Sequence, residues 1–480
     1  MTTTPTPKPT TTSATLYYYD KYNEDNNYHD YFDHNKAHNN KRRIELNFED
    51  FDTENNYNTM SIFDGPNTQS SLISKSQWPG RNLALTALLV SVGGSFNFGY
   101  QLLIVNPAQD AFLAFLNSSL ISEGSRVTKE ELDATWGVVI SLFFWGATAG
   151  ALLIQTVAEK LGRRRGMCLS FFIQSMSMGL AVVSHFKNAW VMYAISRCLL
   201  GATISISLGI APLFITECSP TRCRGVISLA TGIVMQLALT VGSIVSMPQL
   251  WGTTDSWWKM YAVEGILTLI VSILCLFIHD SPSYLTYIKE DEAAKKAFVF
   301  YHEIDEITVD EQMQELCQKT SEPSSGLFQV FIDKTSRRPA LIGCLVMAGM
   351  ILSGISAINA FAYEMLLSVG LSSFVAALSN VAICGMTVVG VLVSSLVIDR
   401  WGRRSLLLIT FSFLAIANIL ITASMLLFEH TADSLFGWTV VVLICLFNFV
   451  FCLGPGPISF FITGTHYKFY KPLNFWRTCV

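Results

Sequence analysis

Arginine and carboxylate side chains occur together in a short charged turn that the chain contains twice. The copies read Glu159-Lys160-Leu161-Gly162-Arg163-Arg164 and Asp399-Arg400-Trp401-Gly402-Arg403-Arg404. A guanidinium group can bind a carboxylate through two parallel hydrogen bonds, and glycine permits a tight turn. The two glycines are 240 residues apart, and each copy lies between two long apolar stretches. This spacing indicates a duplicated helical bundle.

The composition is that of a membrane protein. Hydrophobic residues make up 51% of the 480 residues, charged residues only 14%, and the mean hydropathy is +0.40. Soluble domains carry about 25% charged residues. The net charge of -4 and the basic residues placed beside apolar segments argue against nucleic acid as a partner. No predicted span carries a metal cluster or a catalytic triad, so we expect no metal, no cofactor and no enzymatic activity.

Ten apolar stretches are long enough to cross a bilayer, which takes about 20 residues. They lie near residues 82–104, 135–158, 166–186, 189–216, 225–247, 258–279, 340–362, 373–398, 405–428 and 437–463. Nine Lys and Arg residues lie in the short loops on one side of these spans and four lie on the other. This asymmetry predicts a multi-pass protein whose N-terminus is cytoplasmic.

The chain divides into five segments. Residues 1–81 show no apolar periodicity, which predicts a disordered cytoplasmic tail. Residues 82–279 form a predicted bundle of six helices, and residues 340–463 form a partial bundle of four. Residues 280–339 between them are a predicted cytoplasmic linker, either with short helices of its own or with marginal helicity. Residues 464–480 form a predicted divergent cytoplasmic tail.

The longest predicted outer loop, residues 105–134, contains an acceptor pattern for N-glycosylation, Asn117-Ser118-Ser119. We therefore expect a glycan on Asn117. None of the 11 cysteines falls in a predicted outer loop, so no extracellular disulfide is expected.

Three further motifs accompany the charged turns. They are Glu217-x-x-Pro220-x-x-x-Arg224-Gly225, Ser281-Pro282-Ser283-Tyr284-Leu285 and Gly454-Pro455-Gly456-Pro457. Their order and spacing resemble the sugar-porter branch of the major facilitator superfamily, and more narrowly the animal facilitative hexose transporters. The resemblance implies an all-α membrane protein with the major facilitator fold. It also implies transport of a hexose across the plasma membrane by alternating access of two bundles.

The resemblance assigns two kinds of gating residue. In that family, charged residues at the helix ends latch the cytoplasmic side closed, and the breaks in the tenth helix gate the cavity. The matching latch positions are Glu159, Gly162, Arg163, Arg164, Arg197, Glu217, Arg224, Asp399, Gly402, Arg403 and Arg404. Gly454, Pro455, Gly456 and Pro457 predict a bent or interrupted helix. The alternative for the arginine turns is that they only anchor the topology. Exchanging Arg163 for glutamate is expected to impair transport at unchanged surface abundance.

A cavity for a neutral sugar needs amides and hydroxyls that bond several ring hydroxyls, together with an aromatic surface. The candidates, spread over five spans, are Gln101, Gln236, Ser353, Ser356, Asn359, Thr387 and Phe460. Helix packing is the alternative for each one alone. For Glu264, in the sixth span, a functional role and a position at the outer interface near Lys259 remain equally open.

The resemblance also bears on coupling and substrate. Proton-coupled relatives place an aspartate where this chain has Gln101, which favours facilitated diffusion, although Glu264 and His185 leave proton coupling open. The seventh span reads Met350-Ile351-Leu352-Ser353-Gly354-Ile355-Ser356 and lacks the glutamines of the family pattern. Another hexose, a polyol or a different small polar solute therefore competes with glucose as the substrate.

The family pattern stops after Ile462, and no eleventh or twelfth helix follows in this sequence. The fold expected from the sequence is a six-helix bundle with an incomplete second bundle of four helices. A second function thus stays open, that of a truncated form that does not transport sugar and acts on a full-length relative.

Overall fold

The computed structural model describes residues 79–124, 128–220, 223–303, 334–431 and 433–459, and the regular elements in these ranges are helices. Most of the predicted N-terminal tail, part of the linker, Phe460 and the C-terminal tail lie outside the described residues. The predictions made for them, including the end of the helical region, stay predictions.

The described residues of the first half form nine helices, six of them at the positions of the first six predicted spans. Their bounds are α1 Arg81–Leu103, α2 Gln109–Ser122, α3 Lys129–Lys160, α4 Arg163–Lys187, α5 Trp190–Cys218, α6 Arg224–Val245, α7 Trp258–Cys275, α8 Pro282–Tyr287 and α9 Asp291–His302. A π turn, Val92–Phe96, interrupts α1. Helices α8 and α9 lie in the predicted linker, so that its described part is helical.

The second half contains four helices at the positions of the last four predicted spans. Helix α10 runs as Lys334–Met350, passes through a π turn at Ile351–Ile355 and continues as Ser356–Ser368. It is followed by α11 Ser373–Trp401, α12 Arg403–Thr431 and α13 Ser434–Leu453. Nine of the described helices are long and apolar enough to cross a membrane, and α6 has a shorter apolar stretch, Ala230–Val245.

Each half has its own core. In the first half, α3 packs on α5, α4 packs on both α5 and α7, and the rings of Phe112, Tyr193 and Trp257 fill the core at the α2 end. In the second half, α11, α12 and α13 pack together around Phe447. The halves meet where α6 lies along α11, at a small cluster of Leu103, Leu239 and Cys384.

Helix α2 occupies part of what the sequence indicated as an outer loop, and Asn117 lies within this helix. Ser119, the third residue of its glycosylation pattern, is fully buried. Its hydroxyl donates to the carbonyl of Asn188 (2.7 Å) and accepts the backbone N–H of Trp190 (3.0 Å). Glycosylation of Asn117 stays a prediction, and we expect the glycan to be attached before α2 packs against α5.

His302 makes the docking of α9 sensitive to acid. Its ring stacks on Phe298 at 4.0 Å, and burial together with the charge of Arg224 lowers its pKa from 6.5 to about 4. A lowered pKa gives stability that is present above pH 6.5 and is lost as the pH falls toward 4. Between pH 7 and pH 5 we expect a loss of about 2 kcal/mol in the free energy of unfolding.

Thermal unfolding of the purified protein at the two pH values measures this loss. The His302→Gln variant should lose less stability between pH 7 and pH 5 than the parent. An equal loss in both proteins would show that other groups cause it.

Candidate functional site

A buried ion pair fixes the Gly162 turn. Arg163 donates from Nε to Glu217 Oε2 (3.0 Å) and from Nη2 to Glu217 Oε1 (2.8 Å), while its Nη1 donates to the carbonyl of Ala158 (3.0 Å). Ser281 donates a further hydrogen bond to Glu217. Arg163 is only 1% exposed. The pair therefore ties the start of α4 to the end of α5, within the first half.

The backbone of this turn requires glycine. Gly162 has φ 84°, and a Cβ atom there would lie 2.6 Å from the ring of Tyr284. The backbone N–H of Arg164 donates to Asp280 Oδ1 (3.1 Å), and its Nη1 donates to the carbonyl of Ile278 (2.9 Å). Burial raises the pKa of Asp280, although its hydrogen bonds and the two arginines act in the opposite direction. The turn thereby also ties α4 to the segment between α7 and α8.

Two other predicted latch residues have different partners. Glu159 accepts a hydrogen bond from Gln155 Nε2 on its own helix (3.1 Å), and Arg224 Nη2 donates to the carbonyl of Ser219 (3.2 Å). In the second copy, Gly402 repeats the backbone conformation with φ 76°, and Arg404 is exposed. The side chains of Asp399 and Arg403 lie outside the described residues, so their latch stays a prediction.

Arg197 belongs to a separate cluster, contrary to the expectation from the family resemblance. It lies 20 residues before Glu217 on α5, a separation of about 30 Å along a helix. Its Nη1 donates to Gln101 Oε1 (2.9 Å), and its guanidinium carbon lies 4.6 Å from the ring centre of Phe143. Arg197 therefore cannot reach the Arg163–Glu217 pair.

Gln101 links Arg197 to Glu264. Its Nε2 donates to Glu264 Oε2 (2.5 Å) while its Oε1 accepts from Arg197, so both of its polar atoms are engaged and it is fully buried. As a predicted sugar contact, Gln101 is occupied in this conformation. Glu264 is 2% exposed, which excludes the interpretation that it reaches the outer interface. Its Oε1 has no hydrogen-bond partner among the described residues.

A second buried network was missed by reasoning from the sequence. Asn97 Nδ2 donates to Gln174 Oε1 (2.7 Å), Thr268 Oγ1 donates to Asn97 Oδ1 (3.2 Å), and Gln174 Nε2 donates to Ser207 Oγ (2.8 Å). These residues join α1, α4, α5 and α7 and are at most 1% exposed. An amide within an apolar span is the feature that could have identified them. Asn97 and Gln174 have this feature, as do the predicted sugar contacts Gln101 and Gln236.

Two of the predicted sugar contacts lie on the helix faces where the halves meet. Asn380 Nδ2 donates to Ser243 Oγ (3.0 Å), and Leu239 packs against Cys384. Helical spacing puts Gln236 on the face of α6 that carries Leu239 and Ser243, and Thr387 on the face of α11 that carries Asn380 and Cys384. Gln236 is 7% exposed, and its Oε1 has no partner among the described residues. Thr387 donates to the carbonyl of Cys384 (2.6 Å), so its hydroxyl can still accept a hydrogen bond.

Of the three candidates on α10, Ser353 lies within the π turn, and Ser356 and Asn359 lie beyond it. Ser353 donates to the carbonyl of Met350 (2.7 Å), Ser356 is exposed, and Asn359 accepts at its backbone carbonyl from Asn106 Nδ2 (2.6 Å). At Gly354, φ is 93°, which kinks the helix. The kink separates Ser353 from the Asn359 contact with the first half.

The predicted interruption of the tenth span lies at Gly454. Helix α13 ends at Leu453, and Gly454 has non-helical angles of φ −120° and ψ −84°. A helical turn resumes beyond it, in which the backbone N–H of Ile458 donates to the carbonyl of Gly454 (3.2 Å). The break is therefore present, and its role as a gate stays a prediction.

The model of a protein family described as sugar (and other) transporter matches residues 86–467. The chain belongs to this family. Its sequence is similar to that of the mouse solute carrier family 2, facilitated glucose transporter member 5. The two are 28% identical over 392 residues, which cover 78% of this chain and 75% of the relative. The human member 5 is 29% identical over 388 residues, with the same two coverages.

Solved structures of family proteins show the same fold. The proton:xylose symporter XylE superimposes with a TM-score of 0.64 at 16% identity, covering 84% of this chain and 85% of XylE. An inward-open structure of XylE from E. coli gives a TM-score of 0.61. The protein is thus an all-α, multi-pass membrane protein of the sugar transporter family with the major facilitator fold.

Proposed function

We propose that the protein carries a hexose across the plasma membrane by facilitated diffusion, through alternating access of the bundles 82–279 and 340–463. The observation that carries this proposal is Gln236, a buried amide on the face of α6 that meets α11, whose oxygen has no hydrogen-bond partner within the described part of the chain. Such an oxygen accepts a hydrogen bond from a sugar hydroxyl at little cost, because it is already removed from water. The names of the relatives, facilitated glucose transporters, support the same substrate class.

Alternating access requires contacts that join the halves on one side and break in the other state. At the α2 end, Asn106 bonds the Asn359 carbonyl, and Gln109 Nε2 donates to Glu364 Oε1 (2.6 Å). The positive-inside pattern assigns this end to the outside. In the proposed cycle these bonds close the outer side and break when sugar enters from there.

Uptake of labelled sugars into vesicles that contain the 480-residue chain tests the proposal. Saturable uptake of a hexose, competed by unlabelled hexose and independent of ATP, is the expected result. Uptake of a labelled polyol in the same assay tests the alternative substrate class. If no sugar enters above the rate of empty vesicles, the proposal fails, and the non-transporting form that acts on a full-length relative takes its place.

The Gln236→Leu variant should raise the half-saturation concentration for the sugar about 10-fold, because one hydrogen bond to a buried acceptor and its desolvation are worth about 1–2 kcal/mol. Concentration-dependent uptake measures this change. Gln155→Leu is the matched control, since this amide bonds Glu159 of its own helix, α3, which packs mainly on α5. If the half-saturation concentration rises equally in both variants, Gln236 does not bind the sugar.

Proton coupling is the second candidate. Oε1 of buried Glu264 has no hydrogen-bond partner in the described ranges, which favours it, because a carboxyl group without a full set of partners can hold a proton. Under an inward proton gradient, a symporter accumulates sugar above the outside concentration, whereas a facilitator only equilibrates it. If the parent accumulates sugar and the Glu264→Gln variant does not, the protein is a symporter.

A further inference from the structure

Among the residues that the structure describes, each half has one helix with a π turn, Val92–Phe96 in α1 and Ile351–Ile355 in α10. A π turn displaces backbone carbonyls from their usual helical donors and frequently occurs at functional positions. Inside a bilayer no water replaces a lost donor, so each freed carbonyl needs a partner from the protein. The partners differ between the two halves.

In α1, the amide that bonds the π turn is itself held on several sides. The carbonyl of Gly93 accepts from Asn97 Nδ2 (2.9 Å), the other hydrogen of this nitrogen goes to Gln174 Oε1 (2.7 Å), and Asn97 Oδ1 accepts from Thr268 Oγ1 (3.2 Å). All three side chains are at most 1% exposed. Straightening α1 would disturb a network that joins four helices, so this turn has one stable form.

In α10, the π turn is bonded by a residue of another helix. The carbonyl of Ser353 accepts from Asn418 Nδ2 of α12 (2.8 Å). Gly354, the next residue, has φ 93°, and a Cβ atom there would lie 3.3 Å from that nitrogen. Asn418 is half-buried, and the side-chain hydrogen bond described for it is this one.

We propose that Asn418 is a positioning residue that selects the kinked form of α10 and thereby closes the outer side of the transporter. In a straight α-helix the carbonyl of Ser353 accepts from the backbone N–H of residue 357, so the bond from Asn418 would be only a second one. The Asn418 bond thus stabilises the kinked form more than the straight form. This inference rests on the proposed alternating access.

The part of α10 beyond the kink carries the contacts to the first half. Asn359 and Glu364, both in Ser356–Ser368, receive hydrogen bonds from Asn106 and Gln109. When Ser353 loses its bond to Asn418, α10 straightens and this segment moves relative to α1 and α2. The outer contacts then break, and the outward-open state gains population.

Spin labels at positions 121 and 367, two exposed residues of α2 and α10, report the opening without any need for transport. The experiment uses the full chain in lipid and compares Asn418→Leu, Asn418→Ala and the amide-retaining Asn418→Gln. Thr422→Val, one turn along α12, is the control. The quantity measured is the ratio of the population with the long label distance to the population with the short one. We expect this ratio to rise about 5-fold in Asn418→Leu and Asn418→Ala, as loss of one hydrogen bond predicts, and to rise less in Asn418→Gln.

Transport gives a second reading. The ratio of outer to inner half-saturation concentrations should fall about 5-fold in Asn418→Leu, because a larger outward-open population binds external sugar more readily. Parental distances in both Leu and Ala would overturn the inference, and so would failure of both to fold, which would make Asn418 a structural residue. If the parent shows no uptake, the proposed function fails while the distances still decide the role of Asn418.

Discussion

Replacing Arg163 with leucine is expected to destabilise the protein by about 3–5 kcal/mol, because it leaves the carboxylate of Glu217 buried without its cation. The pair is bidentate, and the side chains are 1% and 9% exposed, so water cannot compensate for the lost partner. The thermal midpoint of the purified protein and its abundance in the membrane should both fall. This outcome replaces the expectation, drawn from the sequence, of unchanged surface abundance on substitution of Arg163.

Arg165→Leu is the matched control, since this arginine is exposed in the same turn and its loss should change stability little. The double variant Arg163→Leu with Glu217→Leu should recover part of the loss, because it removes the unpaired charge. If Arg163→Leu is as stable as Arg165→Leu, the buried pair contributes nothing to the fold.

Replacing Arg197 with leucine is the second change with a large expected effect. Gln101 Oε1 would lose its charged donor, and Glu264 would remain at 2% exposure without the cation that Gln101 links to it, which should cost about 2–3 kcal/mol. Adding Glu264→Gln to this variant should restore much of the thermal stability, because the second change removes the unpaired charge while keeping a group that accepts from Gln101.

Lys187→Leu, at the end of α4, provides the control for loss of one positive charge at an exposed site. The thermal midpoints of the parent, Arg197→Leu, Glu264→Gln and the double variant form a cycle that gives the coupling between Arg197 and Glu264. Additive losses would mean that the two charges stabilise the fold independently of each other.

The sequence predicted the parts of the fold that depend on local properties. Apolar length located ten of the described helices, of which nine are long and apolar enough to cross a membrane and α6 has a shorter apolar stretch. The repeat of Gly162 at Gly402 indicated two turns with the same backbone, since positive φ at such a turn favours glycine. Helix α2 was missed because its 14 residues are too short to register as a span, although Phe112 and Phe115 anchor it in the core.

The partners of the buried polar residues could not be read from the sequence. Arg197 and Arg163 are equally basic, and only the length of α5 between Arg197 and Glu217 shows that they lie in different clusters. Gln101 has an amide side chain of the kind that binds a sugar. Its two polar atoms are instead bonded to Arg197 and Glu264, which are 96 and 163 residues away in the sequence. Such choices depend on how distant helices pack.

The amide of Gln101 is an oriented dipole between two opposite charges. Its oxygen meets Arg197 and its nitrogen meets Glu264, and the reversed amide would place like-signed partial charges against both groups. Electrostatics thus allows a single orientation of the side chain. Because Gln101, Arg197 and Glu264 lie on α1, α5 and α7, rotation of any one of these helices about its own axis would break the alignment. These three helices must therefore turn together, as one rigid body.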